Sequence, residues 1–447
     1  MWYEDTVAAV STPLQTAALG VVRVSGPAAL SIVGQIFSGP VQKVAGGTAL
    51  HGYIRDGQTL IDEVVVTVFR APHSYTGEDM AEISCHGSPF ILRCVMRLLI
   101  GCGARAASAG EFTKRAFING KLDLTRAEAV ADLINSETKL QAASAVGGLR
   151  GGIWDRIEPI RAELVGLAAQ MLAFIDFPDD DISDLSPQTI RQTVLSALGQ
   201  TQALAEGFDK GRVIRSGVRV CICGRPNAGK STLMNRLLGC ERSIVTGDEG
   251  TTRDVVEDSV VIDGVKFVLS DTAGIRRASS EAERIGVDRA GDNMRAADLL
   301  LCVFDASAAL SDADRSFINE ALACSGRKIA VLNKLDLGQA EYDMPGFDSY
   351  VRVSAARGDG AEELRRAMSE LAGCGNLPSD GSVINNLRQY ECVVRAAEAL
   401  QRAADGAAPD AQLQDIEEAI DALGSLTGRS ASEDIINDIF SRFCVGK

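Results

Sequence analysis

The sequence predicts a multidomain protein of mixed α/β and all-α class. An N-terminal α+β domain should precede a helical domain, which an inserted α/β domain interrupts. The chain has 447 residues, and about 150 residues per domain suggests three domains. Strand-like and helical runs mix up to about residue 120, and Ala- and Leu-rich helical runs follow to about residue 208. Apolar strands then alternate with helices over residues 219–372 before helices return, which is typical of an inserted parallel sheet; two separate helical regions are the alternative.

Composition restricts the location and the partners of the chain. It carries 45 basic and 60 acidic residues, a net charge of −15, so RNA contact needs a local basic patch or a partner protein. No run reaches the ~18 apolar residues of a membrane span, and the acidic N-terminus lacks the basic segment of a secretion signal. The eleven cysteines are odd in number and scattered, which favours reduced thiols. We therefore expect a cytoplasmic protein that does not bind membranes.

Several local patterns predict elements in the N-terminal and helical regions. Residues 20–25 should form a strand, Ser25-Gly26-Pro27 should open a helix through Phe37, and residues 63–69 should form a strand. Residues 89–100 have helical spacing. Thr125 and Glu128 have the spacing of a capping box at a helix start. Three further helices are expected at residues 383–404, 412–423 and 433–443.

The inserted domain opens with a phosphate-binding pattern. Residues 224–231 read Gly-Arg-Pro-Asn-Ala-Gly-Lys-Ser and match G-x-x-x-x-G-K-[ST] in full, between an apolar strand run and a helical run. The glycines let successive backbone N–H groups face phosphates, and the following helix adds its positive N-terminal end. Lys230 is expected to reach the β and γ phosphates, and the Ser231 hydroxyl to bind Mg²⁺.

Further segments follow the ends of predicted strands, the edge where doubly wound sheets bind ligands. They are residues 250–254 (Gly-Thr-Thr-Arg-Asp), 271–274 (Asp-Thr-Ala-Gly), 333–336 (Asn-Lys-Leu-Asp) and 354–356 (Ser-Ala-Ala). A carboxylate at Asp336 can accept hydrogen bonds from N1–H and the 2-amino group of guanine, which adenine lacks. Lys334 can lie along the ring face, and Ser354 and Ala355 can present N–H groups to O6. The five segments together predict a Ras-like P-loop GTPase domain.

Two features of this domain leave the hydrolysis mechanism open. The domain resembles the translation-factor class of GTPases, but Ile275 stands where signalling GTPases place a water-orienting glutamine. No arginine finger can be identified from the sequence. Another group must therefore position water and neutralise the charge that develops on the phosphoryl group. The alternative is a non-catalytic switch that binds GTP only to recruit a partner.

Short segments outside the nucleotide domain carry a family resemblance. They read Ser-Tyr-Thr-Gly-Glu-Asp at residues 74–79, Cys-His-Gly at 85–87, Gly-Glu-Phe-Thr-Lys-Arg-Ala-Phe at 110–117, Asn-Gly-Lys-Leu-Asp-Leu at 119–124 and Phe-Cys-Val-Gly-Lys at 443–447. Together with the P-loop, they resemble the MnmE (TrmE) family of tRNA modification GTPases over essentially the whole chain. A ribosome-assembly GTPase that binds rRNA is the alternative, and the acidic charge balance argues against it.

The resemblance implies an architecture and a reaction. It implies a folate-binding and dimerisation domain at residues 1–120, a helical domain at 121–214 and 375–447, and a G domain at 215–374. Members form homodimers and associate with the FAD-dependent protein MnmG as a heterotetramer. They build an aminomethyl or carboxymethylaminomethyl-type group at C5 of the wobble uridine, position 34 of certain tRNAs. A tetrahydrofolate derivative, in its 5-formyl or methylene form, supplies the one-carbon unit, and the tRNA is held mainly through the complex.

The resemblance also assigns site residues. A potassium ion replaces the arginine, with ligands at Asn227, Thr246, Asp248 and Thr251; Thr252 joins Ser231 at Mg²⁺. Glu283 positions the attacking water and, with Lys230, is the catalytic group. The folate site maps onto Arg23, Glu82, Lys121 and Lys447. The full set of expected GTP-binding residues is Asn227, Ala228, Gly229, Lys230, Ser231, Thr232, Thr246, Gly247, Asp248, Glu249, Gly250, Thr251, Thr252, Asp271, Thr272, Ala273, Gly274, Asn333, Lys334, Asp336, Ser354, Ala355 and Ala356.

Overall fold

A computed structural model describes residues 4–176, 186–240, 258–271, 291–338, 342, 344–406 and 408–446. The chain divides into two compact units. The first comprises Met1–Ala131, Leu149–Thr201 and Cys392–Lys447, and the second comprises Asp132–Gly148 and Gln202–Glu391. Among the residues described, no helix is both long and apolar enough to cross a lipid bilayer.

The first unit contains a six-stranded sheet in the order β3-β4-β5-β2-β1-β6. Neighbouring strands are antiparallel except β1 and β6, which are parallel. The alternation of buried and exposed residues along β4 is typical of a sheet with one face against a core. The strands are β1 (Val7–Val10), β2 (Leu19–Ser25), β3 (Thr48–Asp56), β4 (Thr59–Phe69), β5 (Met80–His86) and β6 (Arg105–Ala106).

Two helices, Ala29–Ile36 and Pro89–Gly101, contribute buried apolar residues to the core on one face of this sheet. The expected strands and the helix at 89–100 are confirmed, but the first helix begins at Ala29 rather than at Ser25-Gly26-Pro27. Gly26 has φ +132°, which no helix residue adopts. The Ala28 N–H donates to the Thr6 hydroxyl oxygen at 3.0 Å, so a residue distant in sequence holds the turn before the helix.

Beyond this sheet and its two helices, the described residues of the first unit and the start of the second are largely helical. The helix Trp154–Asp176 packs against Pro409–Thr427, and Glu433–Ser441 packs against Glu111–Ile118. A core of Leu124, Ala127, Ile439 and Phe440 lies beside the last pair. Further helices in these helical stretches are Leu124–Ile134, Lys139–Leu149, Pro187–Glu206, Phe208–Ser216 and Leu387–Ala404.

Two expected helix starts are wrong, and in each case a neighbouring side chain caps the helix. The Asp123 carboxylate, not Thr125, accepts the Arg126 N–H at 3.0 Å, so Thr125 lies inside the first turn. The helix expected from residue 383 begins at Leu387, because the Asn386 side chain accepts the Gln389 N–H at 2.9 Å. The helix expected at 412–423 is longer and starts at Pro409, a residue favoured in the first helical turn.

The second unit contains a six-stranded sheet in the order β12-β11-β10-β7-β9-β8. All neighbours are parallel except the β8–β9 hairpin, whose turn residues Asp263 and Gly264 both have positive φ as a type I′ turn requires. The strands are β7 (Val218–Cys223), β8 (Asp258–Ile262), β9 (Val265–Asp271), β10 (Leu299–Asp305), β11 (Arg327–Asn333) and β12 (Ser349–Arg352).

Helices cover both faces of this sheet. The helices Lys230–Cys240 and Ala361–Leu371 contribute to one core, and Asp312–Leu322 contributes to the other. Six consecutive residues of β10 are buried, as a central parallel strand requires. The predicted fold class is therefore confirmed: along the chain, an N-terminal α+β domain is followed by helical segments, into which a P-loop α/β domain is inserted.

Candidate functional site

The phosphate-binding loop lies between β7 and the helix Lys230–Cys240. Gly224 follows β7 with φ +140°, and a Cβ there would lie 2.4 Å from the Val303 carbonyl oxygen, so only glycine fits. Lys230 is 7% exposed, and its Nζ donates to the carbonyl oxygens of Gly224 and Arg225, both at 2.8 Å. The ammonium group is thus held inside the loop, at the positive end of the helix.

A buried amide joins this loop to the segment after β12. Asn333 is 2% exposed, and its Nδ2 donates to the Ala228 carbonyl at 2.8 Å. Its Oδ1 accepts the Ala355 N–H at 3.0 Å. The sequence predicts that the Ala355 N–H faces O6 of guanine. In the structure, this N–H instead donates to the buried Asn333 oxygen. A Cβ on Gly229 would lie 2.2 Å from Asn333 Nδ2, so the glycine leaves room for the amide.

Asp336 and Lys334 stand in the segment after β11. The Ser354 hydroxyl donates to Asp336 Oδ1 at 2.7 Å and lowers the pKa of that carboxyl group, which keeps it ionised as a hydrogen-bond acceptor. Lys334 has φ +68°, and its Nζ lies 2.6 Å from Asp305 Oδ2. Burial acts to raise the pKa of Asp305, but hydrogen bonds from Lys334 and Ser307 outweigh it, so the pKa is lowered.

The structure brings the described nucleotide-site residues to the carboxyl edge of the second sheet. Asn227, Ser231 and Thr232 have exposed side chains in the loop and the first helical turn, and Ala356 is exposed beside Ala355. Asp271 ends β9, and only its backbone is described. The other expected residues lie outside the described residues: Thr246, Gly247, Asp248, Glu249, Gly250, Thr251, Thr252, Thr272, Ala273, Gly274, Glu283 and Lys447. Within the described part of the chain, no cluster of three or more His, Cys, Asp or Glu side chains could hold a metal.

A second set of expected residues meets on the first sheet. Arg23 on β2 pairs directly with Glu82 on β5, and the Glu82 Oε1 atom accepts hydrogen bonds from Arg23 Nη2 at 2.7 Å and Nε at 3.0 Å. The Arg23 side chain is 13% exposed and that of Glu82 is 27% exposed, so the carboxylate is the more accessible of the two. The Arg23 guanidinium carbon lies 5.3 Å from the ring centroid of Tyr75 and 5.5 Å from that of Phe112.

The C-terminal segment reaches the same place. Arg23 Nη1 donates to the Gly446 carbonyl at 3.2 Å, and the Ser11 hydroxyl donates to the same oxygen at 3.2 Å. Val445 forms a β-bridge with Ala109. Gly446 has φ +95°, and a Cβ there would lie 2.6 Å from the Val10 carbonyl oxygen, so the segment packs closely on β1.

Lys121 follows the helix Glu111–Ile118 and contacts the loop that carries Tyr75. Its Nζ donates to the Pro72 carbonyl at 3.0 Å, and its Cγ lies 3.3 Å from a Cβ built on Gly77. Arg23 therefore contacts both Glu82 and Gly446 directly, whereas Lys121 contacts the loop 72–77, whose Tyr75 ring lies against Arg23.

Sequence reasoning missed the charged network that supports this face. The side chain of Arg115 is fully buried, and it forms ion pairs with Asp5, Glu78 and Glu111. Burial acts to raise the pKa of Glu111, but hydrogen bonds from Arg105, the Ser108 N–H and Arg115 lower it to about 2. The segments 74–79 and 110–117 supply Glu78, Glu111 and Arg115 of this network, so part of the sequence signature has a structural role. The sequence signal for this network is that the two segments together contain arginine and acidic residues, which can form ion pairs.

Comparisons with known proteins agree with these features. The model of the MnmE helical domain matches residues 124–444, and the model of the GTP-binding protein TrmE N-terminus matches residues 6–121. The chain is 39% identical over 459 residues to the tRNA modification GTPase MnmE of Natranaerobius thermophilus, covering 99% of this chain and 100% of the relative. It is 39% identical over 467 residues to the tRNA modification GTPase MnmE of Roseiflexus sp. (strain RS-1), covering 100% of both.

Among solved structures, the chain is similar to a variant of Aquifex aeolicus Era bound to GDP and AlF4⁻. The match has 26% sequence identity and a TM-score of 0.29, and it covers 43% of this chain and 69% of the Era chain. The assignment rests on the full-length relatives and on the two family models, which together match most of the chain. Their agreement with the P-loop domain described above leads to one conclusion: the chain belongs to the MnmE family of tRNA modification GTPases.

Proposed function

We propose that this GTPase is activated by potassium and acts with a FAD-dependent partner of the MnmG kind on the wobble uridine of certain tRNAs. The reaction installs an aminomethyl or carboxymethylaminomethyl-type group at C5 of position 34, and a 5-formyl or methylene tetrahydrofolate supplies the one-carbon unit. The contact of Arg23 with Glu82 and with Gly446, which is 423 positions away, carries the proposal. A protein that only switches between GTP and GDP states needs no such site outside its nucleotide domain.

The chemistry of this site fits a folate. The Glu82 carboxylate can accept hydrogen bonds from the N–H groups of a pterin, and it keeps accessible surface for that purpose. Arg23 is held by an ion pair and by two aromatic rings, so its position is fixed before a ligand binds. Lys447 follows Gly446 directly, and Lys121 lies on the adjoining loop; both are proposed to face the anionic end of the folate.

The nucleotide site is proposed to bind GTP through the residues assigned from the sequence. Asp336 is held ionised for the guanine N1–H and 2-amino group, and Lys334 is proposed to lie along the base. Lys230 is already buried in the loop, where it can exchange its two carbonyl contacts for phosphate oxygens. Mg²⁺ is assigned to Ser231 and Thr252.

Potassium is proposed to compensate for the absent glutamine and arginine. Its proposed ligands are Asn227, Thr246, Asp248 and Thr251, and the side-chain and backbone oxygens of such residues suit a hard cation. Asn227 has φ +66° and an exposed side chain at the mouth of the loop, which supports its assignment. When bound, K⁺ adds positive charge where the transferred phosphoryl group becomes more negative. Glu283 is proposed to orient the attacking water.

The proposed domains are residues 1–120 for folate binding and dimerisation, 121–214 with 375–447 for the helical domain, and 215–374 for the G domain. We propose a cytoplasmic homodimer that forms a heterotetramer with its partner. The net charge of −15 supports a tRNA held mainly through that complex, because counterion release needs basic groups. Ten cysteines in the described part of the chain are free thiols, in keeping with a reducing compartment.

Mass spectrometry of wobble nucleosides tests the function. A strain that lacks the protein should lose the C5 modification, and the full chain should restore it. Glu82→Gln should restore little, because an amide cannot provide the same acceptor to a pterin. Glu63→Gln is the matched control, since this carboxylate on β4 is 54% exposed and pairs with His51. Normal modification without the protein, together with its co-sedimentation with ribosomal subunits, would instead support a ribosome-assembly GTPase.

A further inference from the structure

One arginine of the P-loop helix contacts the segment after β12. Arg236 Nη2 donates to the Ala356 carbonyl at 2.9 Å, and its Nε donates to the Ala355 carbonyl at 3.2 Å. The side chain is half-buried, and no sequence pattern singled it out. A forked guanidinium is suited to two adjacent acceptors because its donors are fixed in one plane.

The loop leaves space for this side chain. Gly358 has φ +95°, and a Cβ there would lie 3.3 Å from Arg236 Cζ and 3.3 Å from Nη1. The Gly358 N–H donates to the Ser354 carbonyl at 2.7 Å, so the glycine closes a tight turn directly over the guanidinium. Any larger residue would strain the turn and push against Arg236.

These contacts complete a ring. Arg236 binds the carbonyls of Ala355 and Ala356, the Ala355 N–H binds Asn333, and Asn333 binds the Ala228 carbonyl in the P-loop. Ala228 leads back into the helix Lys230–Cys240, which carries Arg236. Arg236 is six positions after Lys230, a rise of about 9 Å along the helix axis. A single helix therefore carries the phosphate-binding lysine at its start and the loop-binding arginine about two turns further on.

We propose that Arg236 is a positioning residue of the guanine site, which holds the loop 354–356 against the P-loop helix and thereby couples base binding to phosphate binding. This inference rests on the proposed assignment of Asp336 and this loop to guanine. Ser354, at the start of the loop, donates to Asp336, so a displaced loop also releases the carboxylate that recognises the base. Arg236 itself touches neither the base nor the reacting phosphate.

The test compares three full-length variants: Arg236→Ala, Arg236→Lys and Asn235→Ala. Asn235 is the exposed neighbour on the same helix and serves as the matched control. The probe is GDP that carries a fluorescent N-methylanthraniloyl group. Arg236→Ala should weaken its binding at least about tenfold through faster dissociation, since bonds from a charged donor typically contribute that much. Arg236→Lys should be intermediate, because an ammonium lacks the planar fork of donors, and Asn235→Ala should match the wild type.

Two further readouts separate positioning from a purely structural role. Single-turnover hydrolysis at saturating GTP should stay within about threefold of the wild type, because Lys230 and the phosphate loop are intact. Hydrogen exchange should accelerate at residues 354–358 but not along β7. Unchanged GDP binding in Arg236→Ala, or exchange that accelerates equally along β7, would overturn the inference. If the wild type bound adenine and guanine nucleotides equally, the guanine assignment itself would fail, whatever the Arg236 variants did.

Discussion

Adding one methyl group at Gly229 should break the contact between the P-loop and the segment after β12. A Cβ at this position would lie 2.2 Å from Asn333 Nδ2, and the backbone has φ +95°. Real Cβ atoms do not approach other atoms so closely, so Asn333 must move. The Asn333 side chain would then lose its bonds to the Ala228 carbonyl and the Ala355 N–H.

The magnitude follows from these contacts. Asn333 is 2% exposed, so each buried partner left unsatisfied costs about 1–3 kcal/mol. An alanine at positive φ adds roughly 1–2 kcal/mol. With two partners left unsatisfied, Gly229→Ala should therefore lower the local free energy of opening by roughly 3–8 kcal/mol. Gly239→Ala is the matched control on the same helix: a Cβ there meets no atom within 4 Å, and alanine should be neutral or stabilise by up to ~1 kcal/mol.

Hydrogen exchange of the full chain, read on peptides covering residues 218–240, measures this opening directly. Fluorescent GDP binding is the second assay, and Gly229→Ala should weaken it at least a hundredfold while Gly239→Ala leaves it unchanged. Equal protection and equal affinity in the two variants would show that Asn333 relaxes at little cost. The steric reasoning would then be refuted.

Three further predictions concern base recognition, acid stability and hydrolysis. Asp336→Ala should weaken GTP binding at least tenfold more than ITP binding, because inosine lacks the 2-amino group; equal losses would contradict the assignment. The pKa of Glu111 in the folded protein is about 2, below its ordinary value of 4.5. The ionised carboxylate therefore adds about 3 kcal/mol to the free energy of unfolding above pH 4.5, and this contribution is lost as the pH falls from 4.5 through 2. Urea unfolding at pH 7, 4 and 3 should show this loss in the wild type but not in Glu111→Gln. Glu283→Ala should keep GTP affinity within about twofold and slow single-turnover hydrolysis about a hundredfold or more; a large loss of binding would argue against a catalytic role.

The elements that follow from local chemistry could be predicted from the sequence. The P-loop between β7 and its helix, and the Asp263-Gly264 turn between β8 and β9, are fixed by residues that are neighbours in the chain. The carboxyl ends of parallel strands meet at one edge, so the placement of Asn333 and Ala355 near the P-loop also follows. Helix starts were less predictable, because Asp123 and Thr125 compete as caps and only the folded backbone decides between them.

The contacts that depend on distant parts of the chain could not be predicted. The Ala355 N–H is bound by Asn333, and Arg236 reaches across 119 positions to the Ala355 carbonyl. The stacking of Tyr75 and Phe112 on Arg23, like the burial of Arg115, depends on how the N-terminal sheet packs against its loops. Periodicity and short patterns do not encode such pairings, whereas the family resemblance indicated which segments take part.

Single-turnover hydrolysis of GTP in potassium compared with sodium, at equal ionic strength and saturating Mg²⁺, tests the central proposal most directly. A cation that compensates for the missing glutamine and arginine should make the rate in potassium at least tenfold higher while GTP affinity changes little. Equal rates in the two salts would contradict the account, because the charge on the phosphoryl group would then be neutralised by some other group.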